Sequence, residues 1–190
     1  MQRIAVLGLG NVLMGDDAAG PYVLRLLEAG YDLPAEVDLR DLGTPGPELA
    51  HIVEGLDALI VVDTLRVHDG APGDLHLLRR PEIVKGRVPE RLSPHDPSLR
   101  GALLAAELLG QSPPEALLVG IVPGQAELGI GLTPEVREAL PAALAEVVKE
   151  LERLGVPAGK RAEAAERVEV WWEGGPTYRD TSADMSLTYG

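Results

Sequence analysis

The chain has 190 residues, enough for one domain with a substantial core, and no apolar run in it approaches the ~20 residues that a membrane-spanning helix needs. It carries 17 basic and 30 acidic residues, and the resulting net charge of −13 argues against nucleic acid or an anionic membrane as a partner. Cysteine is absent, which excludes disulfides, thiolate metal sites and cysteine nucleophiles.

The first predicted element is a strand. Residues 4–7 form an unbroken apolar run ended by Gly8, which is typical of a strand buried on both faces. Because this strand starts almost at the first residue, no signal peptide is visible, and we expect a soluble cytoplasmic protein without membrane insertion. Gly10 and Gly15 follow and predict a sharply turning loop with open backbone N–H groups. In an open α/β sheet this loop lies at the carboxyl edge, where ligands bind.

Asp16 and Asp17 follow this loop, and three interpretations of them are open. Acidic residues before a helix with Pro21 in its first turn are typical of N-terminal caps, although capping explains one of them and not both. Residues 8–13 match the dinucleotide motif G-x-G-x-x-G without its third glycine, and two carboxylates would repel a pyrophosphate there. In the third interpretation, one carboxylate is a metal ligand.

Helical and strand patterns then alternate along the chain. Helices are predicted over residues 21–29, 47–54, 98–109 and 133–154, the last with Thr133 as its cap, and strands over residues 36–40, 57–62, 74–79 and 115–122, with 74–79 at a sheet edge. This alternation predicts an α/β fold of three layers, α/β/α, around a twisted and mainly parallel central sheet.

Two further residues stand out after the first loop. Asp63 closes the strand over residues 57–62, at the same sheet edge, although an isolated Asp there is as typical of a turn. Residues 80–97 contain four prolines and predict a long surface loop, in which prolines flank His95. Two carboxylates and an imidazole suit a divalent first-row metal such as nickel or zinc, with coordination positions left open.

At these residues the chain resembles the nickel–iron hydrogenase maturation endopeptidases, over roughly residues 1–156. The order and spacing of six segments give the resemblance: Gly8-Leu9-Gly10-Asn11-Val12-Leu13 with Asp16-Asp17, then Asp41-Leu42-Gly43-Thr44, Val62-Asp63, Ser93-Pro94-His95, Val119-Gly120-Ile121-Val122-Pro123 and Gly131-Leu132-Thr133-Pro134. It implies a twisted sheet between helices. The implied activity is removal of a short C-terminal extension from the hydrogenase large-subunit precursor after nickel insertion.

The resemblance also implies the site. Asp17, Asp63 and His95 are the implied metal-contacting and catalytic residues, and the nickel belongs to the precursor, so the protein has no cofactor of its own. Asp41 and Thr44 lie on a neighbouring loop and are predicted to orient the substrate. The chain departs from many relatives at two positions, because it has Ala18 and Leu42 where they have Gly. Its acidic loop residue, Asp17, is one methylene shorter than the Glu that some relatives have there.

Two other functions remain open at this point. The same three residues fit a non-proteolytic chaperone that senses the metal or the precursor, and the glycine motif leaves a nucleotide-dependent α/β enzyme as a further alternative. The protease-like domain is predicted to span residues 1–156. Residues 157–190 are predicted to form a C-terminal extension that is partly flexible, with disorder expected in the polar residues 174–190.

Overall fold

The structure is a computed structural model that describes residues 2–85, 99–162 and 170–173. Its strands are β1 (Ile4–Leu9), β2 (Tyr31–Asp32), β3 (Val37–Gly43), β4 (Ala58–Thr64), β5 (Leu75–Arg79), β6 (Glu115–Ile121) and β7 (Gly159–Lys160). Five of them form one sheet in the order β3-β1-β4-β6-β5, while β2 and β7 form a separate antiparallel pair. In the large sheet β3, β1, β4 and β6 are parallel, and β5 is an antiparallel edge strand. The predicted mainly parallel sheet is confirmed.

The helices are α1 (Ala19–Gly30), α2 (Leu49–Val53), α3 (Arg80–Val84), α4 (Leu99–Leu108) and α5 (Pro134–Arg153). They cover both faces of the sheet, with α1 and α5 over one buried cluster and α2, α3 and α4 over another. Successive residues of β1 point into opposite clusters, which explains why its apolar run has no polar alternation. None of the helices in the described residues is both long and apolar enough to cross a membrane.

The start of α1 packs directly against the carboxyl ends of two neighbouring strands. A Cβ atom at Gly20 would lie 2.3 Å from the carbonyl oxygen of Leu9 and 2.6 Å from that of Val62, so a side chain at Gly20 would clash with backbone. This close approach places the loop between β1 and α1 above the junction of β1 and β4.

Three local predictions need correction. The predicted loop over residues 80–97 begins with helix α3, because Pro81 fits its first turn and the Glu82 carboxylate accepts a hydrogen bond from the Arg79 N–H. The rest of that loop, including His95, lies outside the described residues. Strand β4 continues through Asp63 and Thr64, so that Asp63 pairs with Gly120 inside the sheet. The Thr133 side chain does not cap α5, since its hydroxyl donates to Asp16.

Two segments of the predicted C-terminal extension pack on the domain. Strand β7 pairs with β2, and the Arg161 N–H donates to the carbonyl oxygen of Gly30 at 2.9 Å. Val170 and Trp172 are buried in the same cluster as α1 and α5, where the Trp172 ring meets Tyr22 edge-on at 5.1 Å. The disorder predicted for residues 174–190 falls outside the described residues, and the boundary at residue 156 stays a prediction.

Candidate functional site

The loop between β1 and α1 is closed by an unusual backbone conformation at Gly10. Its φ is +132°, and a Cβ atom there would lie only 1.8 Å from the carbonyl oxygen of Asp17. Glycine at this position lets the loop fold back onto the 3-10 turn Gly15–Ala18, which carries both acidic residues.

Most backbone N–H groups of this loop are already bonded, contrary to the prediction that they are open. Gly10 donates to the carbonyl oxygen of Gly43 at 2.8 Å, and Gly15 donates to that of Gly129 at 2.9 Å. Asn11 donates to the Asp17 carboxylate at 2.7 Å, and Leu13 donates to the side-chain oxygen of Asn11 at 3.0 Å. A phosphate-binding loop requires free N–H groups, so this geometry disfavours the nucleotide interpretation.

Asp17 and Asp63 are linked through one neighbour, Thr64. The Thr64 hydroxyl donates to Oδ1 of Asp17 at 2.8 Å, and the Thr64 backbone N–H donates to Oδ1 of Asp63 at 2.9 Å. Asp63 is 4 % exposed, whereas Asp17 is half-buried and has one side towards solvent. Because α1 starts over the ends of β1 and β4, residues 47 positions apart in sequence meet at one sheet edge.

The third predicted residue, His95, lies outside the described residues. Within residues 2–85, 99–162 and 170–173, no group of three or more His, Asp or Glu side chains is arranged to hold a metal ion. The roles assigned to Asp17, Asp63 and His95 therefore stay predictions. The geometry adds that Asp17 and Asp63 share a partner and that Asp17 retains carboxylate lone pairs beyond its two accepted bonds.

Asp16 has a different role from its neighbour. It is 0 % exposed and accepts four hydrogen bonds, from the N–H groups of Gly124 and Gln125 at 2.8 Å, the N–H of Thr133 at 2.6 Å and the hydroxyl of Thr133 at 2.9 Å. Four acceptor positions are about all that one carboxylate offers, so Asp16 has none to spare for a metal. Among the described residues neither Asp16 nor Asp17 caps α1, and the capping interpretation is wrong.

The predicted substrate-orienting loop also contacts this edge. The carbonyl oxygen of Gly43 receives the Gly10 N–H, and the exposed Asp41 accepts a hydrogen bond from the Gly43 N–H at 3.1 Å. Thr44 is exposed one residue further on. Asp41 belongs to β3, where it pairs with Gly8 of β1, so the predicted start of the loop at Asp41 is wrong and the strand continues to Gly43. Asp41 and Thr44 therefore lie at the end of β3, beside the loop of Asp17.

A groove of about 550 Å³ opens next to this cluster, on the side of Asp16. It is lined by Gly15, Asp16, Gln125, Glu127, Gly129, Ile130, Gly131, Leu132, Thr133, Arg137 and Glu173. Glu173, from the C-terminal extension, pairs with Arg137 at 2.7 Å and accepts a hydrogen bond from the Tyr22 hydroxyl. Burial and this carboxylate raise the pKa of Tyr22 to about 12, and the hydrogen bond to Glu173 raises the pKa of Arg137.

Sequence reasoning missed the contribution of Glu173 to this groove. The sequence feature that could have indicated it is the pair Trp171-Trp172 near the polar end of the chain. A tryptophan in such a segment indicates that the segment packs against the domain. Trp172 is 3 % exposed and fixes Glu173 beside α5.

The chain is similar to known proteins over most of its length. The family model HycI, described as hydrogenase maturation protease, matches residues 21–150. The Hydrogenase 2 maturation protease of Escherichia coli (strain K12) is 38% identical over 156 residues, which cover 82% of this chain and 94% of that protein. The hydrogenase expression/formation protein HoxM of Azotobacter vinelandii is 36% identical over 167 residues, covering 87% of this chain and 80% of that protein.

Solved structures give the same similarity in three dimensions. The hydrogenase maturating endopeptidase HybD from E. coli superposes with a TM-score of 0.78 at 38% identity, over 84% of this chain and 98% of that one. The superposition therefore includes nearly all of that protein.

Proposed function

The chain belongs to the hydrogenase maturation protease family, whose members are endopeptidases, and from this premise we propose that it removes the C-terminal extension of a nickel–iron hydrogenase large-subunit precursor after nickel insertion. In this proposal the protease recognises the nickel that the precursor holds and has no cofactor of its own. The proposed partner is therefore the nickel-loaded precursor. The cytoplasm is the expected compartment, and cell fractionation tests it.

The link between Asp17 and Asp63 through Thr64 is the observation that supports the proposal most directly. It brings two carboxylates to the sheet edge where ligands bind in parallel α/β folds. Carboxylate oxygen is a common ligand for divalent metals, and it binds them when deprotonated. A pepsin-like pair sharing one proton suits this role less well, because a shared proton competes with the metal.

The reaction is hydrolysis of one peptide bond, in which water adds to the carbonyl carbon and the leaving amine gains a proton. The nickel, as part of the substrate, positions the adjacent peptide or activates water. Asp17, Asp63 and His95 are proposed to contact that nickel and so align the scissile bond, and a carboxylate is proposed to accept the proton of the attacking water. Asp41 and Thr44 are proposed to orient the precursor beside them.

The experiment is cleavage of nickel-loaded precursor, followed by mass spectrometry, with Asp17→Asn, Asp63→Asn and His95→Ala variants. We expect each variant to lose activity by at least about a hundredfold, the scale of a lost acid–base or positioning group. His68→Ala is the matched control, because the His68 side chain is 97 % exposed and pairs with Asp69. Normal cleavage by all three variants would show the site assignment to be wrong, and binding without a change in precursor mass would indicate a chaperone.

A further inference from the structure

Three exposed apolar side chains lie on two loops that are bonded to each other beside the site. Leu13 is 50 % exposed, Leu128 84 % and Ile130 60 %. Met14 and Gly129 form a bridge between the loops, with hydrogen bonds of 2.9 Å from Gly129 to Leu13 and from Gly15 to Gly129. We call Leu13, Leu128 and Ile130 the apolar loop pair.

Isolated exposed leucines are ordinary on protein surfaces, but this group differs in two respects. Its members belong to loops that line the groove, which Gly15, Asp16 and Ile130 border. These loops are also fixed from beneath, because the buried Asp16 carboxylate holds the N–H groups of Gln125 and Thr133. Apolar side chains on a fixed backbone lose less entropy on binding than those on a mobile loop.

We propose that the apolar loop pair is the docking surface for the hydrogenase large-subunit precursor, an inference that rests on the proposed function. The surface lies close to the proposed site, since Leu13 precedes Asp17 by four residues and both belong to the segment between β1 and α1. When the precursor binds this surface, the C-terminal extension of the precursor lies along the groove and points towards Asp17 and Asp63. The occupant is thus a folded protein surface rather than the cleaved tail alone.

The charges around this surface specify the chemistry of the partner. Glu127 is exposed next to Leu128 and lines the groove, in which Glu173 pairs with Arg137 and offsets its charge. The whole chain has a net charge of −13. The matching precursor surface is therefore apolar at its centre with basic side chains at its rim, since complementary charge steers association.

The test compares a double variant of this surface with a matched control. Leu128→Ser/Ile130→Ser removes two apolar side chains from the surface. Leu108→Ser/Leu109→Ser removes two leucines that are 90 % and 61 % exposed at the end of α4, where the chain approaches the opposite edge of the sheet. Both are assayed with nickel-loaded precursor for kcat and KM, and their binding to that precursor is measured directly.

We expect the surface variant to raise KM and Kd by about tenfold or more with kcat unchanged, and the control to match the unaltered chain. Glu127→Lys gives a second, independent readout, because it slows association and weakens its dependence on salt. If the unaltered chain, the surface variant and Glu127→Lys all have the same KM, the proposed docking surface is wrong, while the proposed function still stands. Absence of cleavage by the unaltered chain would overturn the proposed function together with it.

Two other occupants of the apolar loop pair can be distinguished by experiments on the same variants. If the surface binds a second copy of this chain, the free protein is a dimer that Leu128→Ser/Ile130→Ser converts to a monomer in sedimentation. If it binds residues 174–190, removal of those residues lowers KM in the unaltered chain and not in the surface variant. Either result would overturn the precursor as the occupant.

Discussion

The hydroxyl of Thr64 donates to the Asp17 carboxylate at 2.8 Å and so connects the end of β4 to the loop after β1. The same residue donates its backbone N–H to Asp63 at 2.9 Å. Thr64 is 1 % exposed, which leaves its hydroxyl little freedom to turn elsewhere. The relative position of the two proposed metal-contacting carboxylates therefore depends on one side chain that touches no substrate.

The first prediction follows from this bond. Thr64→Val keeps the shape of the side chain and removes the hydroxyl, so Asp17 loses one of its two described hydrogen bonds. A bond to a charged group is worth about 1.5–3 kcal/mol, and we expect single-turnover cleavage of nickel-loaded precursor to slow by about tenfold or more. Global stability should fall by less than this amount, because water reaches the half-buried Asp17 and replaces part of the lost bond.

Thr64→Ser is the matched control for this prediction, since it retains the hydroxyl and should keep most of the activity. Cleavage by Thr64→Val at the rate of the unaltered chain would mean that Asp17 needs no support from β4.

The second prediction compares the effect of the same substitution, Asp to Asn, on stability at the adjacent residues Asp16 and Asp17. In Asp16→Asn the amide nitrogen replaces one carboxylate oxygen, and at least one of the four donors at this buried residue loses its acceptor. We expect a loss of about 2–3 kcal/mol in the free energy of unfolding, measured with urea. Asp17→Asn, with two accepted bonds and access to water, should lose about 1 kcal/mol or less. Equal destabilisation by the two variants would contradict the assignment of Asp16 to structure.

The sequence predicted the layers of this fold well because they follow from local patterns. The apolar run of β1 and the amphipathic repeat of α5 each reflect burial on a fixed face, and both occur nearly at their predicted bounds. The prediction failed where a partner lies far away in sequence. Asp16 binds groups 108 to 117 positions further on, so its resemblance to a helix cap was the only signal available locally.

The site was predictable to a similar extent. Asp63 was recognised because a polar residue at the end of an apolar strand is conspicuous. Thr64 was not, since its importance depends on β1 and β4 being neighbours, which the order of strands along the chain does not reveal. Glu173 was missed for the same reason, because it reaches the groove only after Trp172 docks beside Tyr22.

The third prediction concerns acid stability at the other end of the molecule. Burial alone would raise the pKa of Glu150, but hydrogen bonds from Arg153 and Arg79 outweigh burial and hold that pKa below the ordinary value of 4.5. A lowered pKa in the folded state stabilises the fold above pH 4.5, and this contribution is lost as the pH falls through the folded-state pKa. Glu150→Gln should therefore lower the free energy of unfolding by about 1–2 kcal/mol at neutral pH and by progressively less in acid. The expected loss is modest because both arginines are partly exposed, so that solvent screens the two ion pairs.

Urea unfolding across the acidic range measures this difference. Glu146→Gln is the control, because Glu146 pairs with Lys149, whose side chain is 72 % exposed. A cost of Glu150→Gln that stays constant from neutral to acidic pH would contradict the ion-pair explanation.

The fourth prediction uses the tyrosine under the C-terminal extension as a reporter of docking. Burial and the Glu173 carboxylate raise the pKa of Tyr22 from 10.0 to about 12. Spectrophotometric titration should therefore show a late component that Tyr22→Phe removes. Since the folded-state pKa is raised, the stability gained from this group is complete below pH 10 and is lost as the pH rises towards 12.

Trp172→Ala should bring the Tyr22 pKa down towards its ordinary value, because it removes both the ring that packs on Tyr22 and the anchor of Glu173. It should also lower the free energy of unfolding by at most about 3–5 kcal/mol, the cost of truncating a tryptophan in a core. Trp171→Ala is the matched control, because Trp171 is 70 % exposed and should leave the late titration in place. If Tyr22 titrates in Trp172→Ala as it does in the unaltered chain, Trp172 does not hold Glu173 against Tyr22. In that case the proposed contribution of Glu173 to the groove is wrong.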